Sequence, residues 1–195
     1  MREYDLIADW YASERTDQTG VPEVTALVQS LPPGARVLDA GCGNGLPLTR
    51  LLLQLGCDVV GVDSSTKMLD RFHHNCPGVP SICAPIQNCD LEARTFDGAL
   101  AWGVLFHLPH REQSTAIAVV AGALKSDGLF LFTAGDQGGE DGWTDGAPMN
   151  GVPFRYYSFG VEGYRRLLGT HGLVLEDVHK DAGDNTHYLA RKGAG

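Results

Sequence analysis

Short apolar runs alternate along this chain with stretches whose apolar positions recur every three to four residues. That alternation predicts buried strands interleaved with helices. A helix over Glu23 to Ser30 leads into the turn Pro32-Pro33-Gly34 and then the first strand, centred on Val37 and Leu38. Leucines at 46, 48, 51, 52, 53 and 55 predict the next helix. Cys57 to Val62 is the second strand, Ser64 to Asn75 its following helix, and a short third strand lies around Ile82, interrupted by Pro85. Phe96-Asp97-Gly98 opens the apolar run Ala99 to Phe106, predicted as a buried fourth strand continuing into a loop. A helix from about His110 to Leu124 presents Ile117, Val120, Ala121 and Leu124 on one face; Ser126-Asp127-Gly128 ends it, and Leu129 to Thr133 is the fifth strand. This order implies a parallel sheet with right-handed crossovers and helices on both faces.

Beyond Ala134 the pattern changes. Gly135 to Tyr157 is rich in Gly, Asp, Pro and aromatic residues and shows no period, which predicts a functional loop or lid. A helix over Val161 to His171 closes with Gly172, and two strand-like runs follow, Leu173 to His179 and His187 to Lys192, around the turn-rich Asp181 to Asn185.

Composition narrows the possibilities. With 195 residues, 43% of them apolar, the chain suits one domain with a sizeable core. A formal charge of −9 argues against a sequence-tolerant nucleic-acid binder, because phosphate contacts need a basic face. No apolar run reaches spanning length and the start lacks the basic-then-apolar form of a signal peptide, so a cytoplasmic protein with no membrane partner is expected. The five cysteines (42, 57, 76, 83 and 89) include no C-x-x-C pair, which predicts reduced thiols and no metal site. His179, Asp181, Asp184 and His187 offer mixed nitrogen and oxygen ligands, but without a recognised metal spacing they read as a solvated turn.

The most informative stretch is Val37-Leu38-Asp39-Ala40-Gly41-Cys42-Gly43-Asn44-Gly45. A strand that runs into alternating glycines lets backbone N–H groups approach a ligand closely, and the helix behind it is expected to aim its N-terminus at the same place. The third glycine comes one residue early for a dinucleotide fingerprint. Asp39 at the mouth of the loop would repel a pyrophosphate but accept hydrogen bonds from a cationic group. Twenty residues beyond Gly43, Asp63 ends the second strand, where an acid either hydrogen-bonds ribose hydroxyls or caps the next helix.

The segment V-L-D-A-G-C-G-N-G resembles the first motif of class I S-adenosylmethionine-dependent methyltransferases, in particular the small-molecule members. The likeness is strongest over 35–45, fair over 57–63 and 96–108, and general in outline beyond 135. It implies a Rossmann-like three-layer α/β sandwich, with a mostly parallel seven-stranded sheet whose seventh strand is antiparallel. It also implies S-adenosyl-L-methionine as cofactor, with Asp39, Gly41, Cys42 and Gly43 along its methionine and ribose part and Asp63 and Ser64 on the ribose. Met68 matches the family's S-x-x-M-L stretch and equally suits core packing. The chain departs from the family at the adenine end, where Cys83 to Asn88 holds no acid; Pro85, Ile86 and Gln87 are the remaining contacts.

The resemblance also assigns an N-terminal cover, residues 1–30, in which Tyr11 and Arg15 meet the cofactor carboxylate. Trp102 and Gly103, after the fourth strand, are expected to border the cofactor. His107 is the candidate general base, with a structural role as its alternative. Phe106 and the 135–157 segment, through Trp143, Arg155, Tyr156 and Tyr157, are expected to hold the acceptor. The function implied is in-line methyl transfer to an O or N atom of a small molecule by a monomer or homodimer. The alternatives are a non-catalytic S-adenosylmethionine-binding protein and a nicotinamide-dependent oxidoreductase.

Overall fold

The computed structural model describes residues 2–14, 19–91, 93, 95–145, 148–181 and 183–194. Its central sheet takes five strands from the alternating half of the chain: β1 (Arg36–Ala40), β2 (Asp58–Asp63), β3 (Ser81–Cys83), β4 (Phe96–Ala101) and β5 (Leu124–Ala134). Two more follow from the C-terminal third, β8 (Leu173–Lys180) and β9 (Thr186–Lys192). The spatial order is β3-β2-β1-β4-β5-β9-β8, with β1 to β5 parallel and β9 antiparallel to both neighbours. The expected seven-stranded sheet with an antiparallel last strand is therefore present.

Side-chain alternation along the strands divides the core in two. On β5, Phe130 and Phe132 join one face with Ile117 and Val120 of α5 (His110–Ala123) and Tyr164 and Leu168 of α6 (Gly160–Thr170). Leu129 and Leu131 join the other face with Val24 and Leu27 of α2 (Val21–Gln29) and Leu52 of α3 (Leu48–Gln54). A period-two strand that is apolar on both faces must be covered on both, and these helices supply the cover. Helix α4 (Thr66–Asn75) packs Phe72 against Cys42, and α1 (Arg2–Glu14) lies on α4, where Arg71 donates to the Ala8 carbonyl.

Several boundaries move from those expected. The fourth strand runs from Phe96 to Ala101 rather than on to Phe106; Trp102-Gly103 turns, and Leu105–His107 forms a 3-10 turn. The fifth begins at Leu124, and residues 125–128 bulge out between the pairings Phe96↔Leu124 and Gly98↔Leu129, with Asp127 at φ 63°. The seven-residue α3 starts beyond the glycine loop. The 135–157 segment is not without regular structure: β6 (Gly138–Asp145) and β7 (Arg155–Phe159) form a separate two-stranded antiparallel ribbon. Its pairing escapes periodicity because glycine and aspartate fill most of β6. No helix among the described residues is long and apolar enough to cross a membrane.

Candidate active site

The carboxyl ends of β1 to β4 enclose a cavity of about 250 Å³. Open parallel sheets form such a crevice because the connections leave the strand ends in opposite directions. Gly41 and Gly43 form one wall, Asp63 and Ser64 a second, residues 84–87 a third, and Trp102 to Val104 a fourth. At Gly41 (φ 83°) a Cβ would stand 2.0 Å from the Val104 side chain, whereas at Gly43 (φ 54°) it would meet nothing within 4 Å. Gly41 thus serves close packing of the loop, and Gly43 opens backbone to the cavity.

Asp63 ties the loop to the second strand. Its Oδ2 accepts the Gly43 N–H at 2.9 Å and its Oδ1 the Ser65 N–H at 2.8 Å. Burial pushes its pKa above the ordinary value, opposed by those backbone hydrogen bonds. The carboxylate as a whole keeps acceptor capacity. Ser65, not Asp63, caps α4, accepting the Met68 N–H at 3.1 Å. Met68 is both core and cavity wall.

Asp39 and Cys42 sit differently from their expected place at the ligand. Asp39 is buried, accepts a 2.5 Å hydrogen bond from Thr49, and lies with Cys42 beside a separate small void behind the loop. Burial first, then the charges of Asp39 and Asp63, drives the Cys42 thiol pKa upward, so it stays protonated packing. Nor does any residue of α3 line the main cavity, so the expected helix N-terminus is absent from it. The sequence places Asp39 and Cys42 next to the loop, but they line the small void, which shares Gly41 and Trp102 with the main cavity, and not the main cavity itself.

Pro85, Ile86 and Gln87 all line the cavity, and Glu112 of α5 lines it beside them. Gln87 Nε2 donates to Glu112 Oε2 at 2.8 Å, while Gln87 Oε1 is buried with no hydrogen-bond partner. Glu112 was invisible in sequence because it reaches the cavity from α5, beyond β4 in the chain. On the opposite wall Gly103 donates its N–H to Thr133 Oγ1 at 2.8 Å. Trp102 stacks on His187 with ring centroids 4.7 Å apart.

Thr133 belongs to a second, more open cavity of about 630 Å³, walled by Phe106, residues 133–137, Tyr156 to Ser158 and the β8–β9 turn. The Gly103–Thr133 hydrogen bond is therefore a partition between the two cavities. Phe106 and Tyr156, in edge-to-face contact at 5.4 Å, line the second cavity together with Tyr157. Arg155 points elsewhere, 3.9 Å from Asp145 on the exposed ribbon. The Trp143 side chain lies outside the described residues, although its backbone pairs with Tyr157.

His107 lines neither cavity. Its ring is buried among Tyr4, Phe106, Phe154 and Tyr156, and its Nε2 is 2.9 Å from the Tyr4 hydroxyl. Burial lowers its pKa to about 4, leaving it neutral near pH 7. Tyr4 itself lines the main cavity, so the N-terminal helix does reach the site through a residue not selected from sequence. Of the two that were, Arg15 and the Tyr11 side chain fall outside the described residues.

Residues 37–128 match a family model described as a methyltransferase domain. An Arabidopsis thaliana tRNA (carboxymethyluridine(34)-5-O)-methyltransferase is 32% identical over 133 residues, 68% of this chain and 31% of the relative. A ubiquinone biosynthesis O-methyltransferase of Xanthomonas axonopodis pv. citri is 36% identical over 176 residues, 75% of this chain and 66% of the relative. The chain thus spans less than two thirds of either relative's length. Burkholderia thailandensis 1,6-didemethyltoxoflavin-N1-methyltransferase, solved with its acceptor and S-adenosylhomocysteine, superposes with a TM-score of 0.75 at 24% identity, over 99% of this chain and 88% of that one.

Proposed function

This chain belongs to the class I S-adenosylmethionine-dependent methyltransferases, and from that premise we propose that it methylates an O or N atom of a small, partly aromatic acceptor held in the second cavity. The observation that carries the reading is the shared partition: Gly103 lines the first cavity, Thr133 the second, and a 2.8 Å hydrogen bond joins them. A donor and an acceptor seated on either side would meet at that boundary. Holding both reactants in line supplies much of the acceleration such a reaction needs.

The residues present fit the cofactor. S-adenosylmethionine supplies an activated methyl group on a sulfonium, so the protein's share is binding and alignment. Asp63 retains acceptor capacity for ribose hydroxyls, Gly43 offers exposed backbone, and the unpartnered Gln87 Oε1 is a buried acceptor for an exocyclic amine. Ile86 and Met68 give apolar contact to a ring. Tyr4, oriented by His107, closes the top of the cavity. On this reading His107 is a positioning residue rather than a base, since its Nε2 is engaged and its ring is out of both cavities.

Phe106, Tyr156 and Tyr157 support a flat acceptor, and Lys180, paired with Asp136 and Asp184, lends the rim polar character. A chain of formal charge −9 favours a small molecule over RNA. The test is transfer of a labelled methyl group from S-adenosylmethionine across a panel of phenols, amines and heteroaromatic N–H compounds, with total tRNA as a further arm. Turnover of a panel compound supports the proposal. Turnover of tRNA alone, or tight cofactor binding with no transfer to any acceptor, overturns it.

A further inference from the structure

Away from both cavity floors, the fold assembles three ligand-type side chains from opposite ends of the chain. A carboxylate oxygen of Glu23 and one ring nitrogen from each of His179 and His187 lie within 4.8 Å of one another. Glu23 stands in the first turn of α2, while His179 and His187 are register partners across β8 and β9. The two imidazoles stack with centroids 5.0 Å apart and planes 28° apart.

A second observation is independent of that clustering. His187 is fully buried; its Nε2 pairs with Asp181 Oδ2 at 3.1 Å, while its Nδ1 is buried with no hydrogen-bond partner. With the proton on Nε2 facing Asp181, the Nδ1 lone pair is a buried acceptor with no donor, which requires an explanation. Stacking on Trp102 does not give one, because phenylalanine would stack as well without that cost. His179 shows the complementary feature: Asp177 Oδ2 sits 2.7 Å from its Nδ1. A carboxylate beside one ring nitrogen is what orients a histidine whose other nitrogen binds a metal.

We propose that Glu23, His179 and His187 bind one divalent transition-metal ion of the zinc class. Two imidazoles and a carboxylate suit zinc, cobalt or nickel rather than calcium or magnesium, which take oxygen ligands. Metal–ligand distances near 2.1 Å place tetrahedral ligand atoms about 3.4 Å apart, so the cluster must close by roughly 1 Å. Glu23 and His179 are only partly buried and have the freedom to do so. The ion would clamp α2 onto the β8–β9 pair around Trp102, which stacks on His187 and would touch any Cβ added at Gly20, three residues before Glu23. Since Trp102 also lines the first cavity, the clamp braces that wall.

The experiment uses the untagged, chelator-treated full chain, titrated with Zn²⁺ by calorimetry and with Co²⁺ by visible absorption. The proposal expects one equivalent of Zn²⁺, cobalt d–d bands without a thiolate charge-transfer band, and a thermal midpoint raised by Zn²⁺. Glu23→Gln and His179→Ala should each weaken Zn²⁺ binding tenfold or more, with His73→Ala as an unaffected control. Both key variants alter partly exposed side chains, so circular dichroism should show an unchanged fold. No stoichiometric Zn²⁺ binding, affinity in both variants unchanged from that of the unsubstituted protein, or a thiolate band would overturn the proposal.

Discussion

Asp63 Oδ2 accepts the Gly43 N–H at 2.9 Å, binding the end of β2 to the glycine loop that follows β1. The contact sets the width of the first cavity and leaves the carboxylate facing it. Asp63→Asn keeps the size but replaces one acceptor with a donor, so at least one of the two backbone N–H groups loses its partner. The expected result is S-adenosylhomocysteine affinity reduced tenfold or more by calorimetry, about 1.4 kcal/mol, with a lower thermal midpoint.

Gly41 and Gly43 should fail in different ways. Gly41→Ala combines a left-handed backbone with a Cβ 2.0 Å from Val104, and should cost about 2 kcal/mol or more of stability in urea unfolding. Gly43→Ala carries the backbone penalty alone, about 1 kcal/mol, because its Cβ meets no protein atom within 4 Å. Its methyl enters the ligand's space, so cofactor binding should fall more than stability does. Equal behaviour of the two variants would contradict the assignment of packing to one and ligand approach to the other.

The adenine end gives a third expectation. With Nε2 held by Glu112, Gln87 presents Oε1 as an acceptor. The protein should therefore prefer S-adenosylhomocysteine to S-inosylhomocysteine, whose ring carries a carbonyl where adenine has its amine. Gln87→Leu should weaken the adenosyl ligand by about 1–2 kcal/mol and erase the preference, as read by competition binding.

His107 makes stability depend on pH. Its folded pKa of about 4 lies below the usual 6.5, so the unfolded chain binds more protons between those values. Stability is then complete above about pH 6.5 and is lost as pH falls toward 4, by about 2 kcal/mol at pH 5. Asp63, raised in the fold, acts in the opposite sense, so the comparison must be with His107→Gln, which should remove this component from the difference in urea midpoint between pH 7.5 and pH 5. Retention of the full difference in the variant would show that another group causes it.

What could be read in the sequence follows from how far each signal reaches along the chain. β1, β2, the glycine loop and Asp63 were legible because a buried strand, its turn and its terminal acid are contiguous. Glu112, Tyr4 and Thr133 were not, since each reaches a cavity from an element whose own periodicity reports only core packing. Asp39 was legible as a loop residue, but adjacency to the loop does not reveal that Thr49 donates to its carboxylate beside a separate small void. The grouping of Glu23 with His187 required β9 to insert antiparallel between β5 and β8, a pairing with no local cue.

The most direct test of the account is a crystal structure with S-adenosylhomocysteine bound. The account predicts the ligand in the first cavity, with ribose hydroxyls on Asp63, the adenine amine on Gln87 Oε1, and the sulfur facing the Gly103–Thr133 partition and the second cavity. A ligand seated elsewhere, or one whose sulfur points away from that partition, would contradict it.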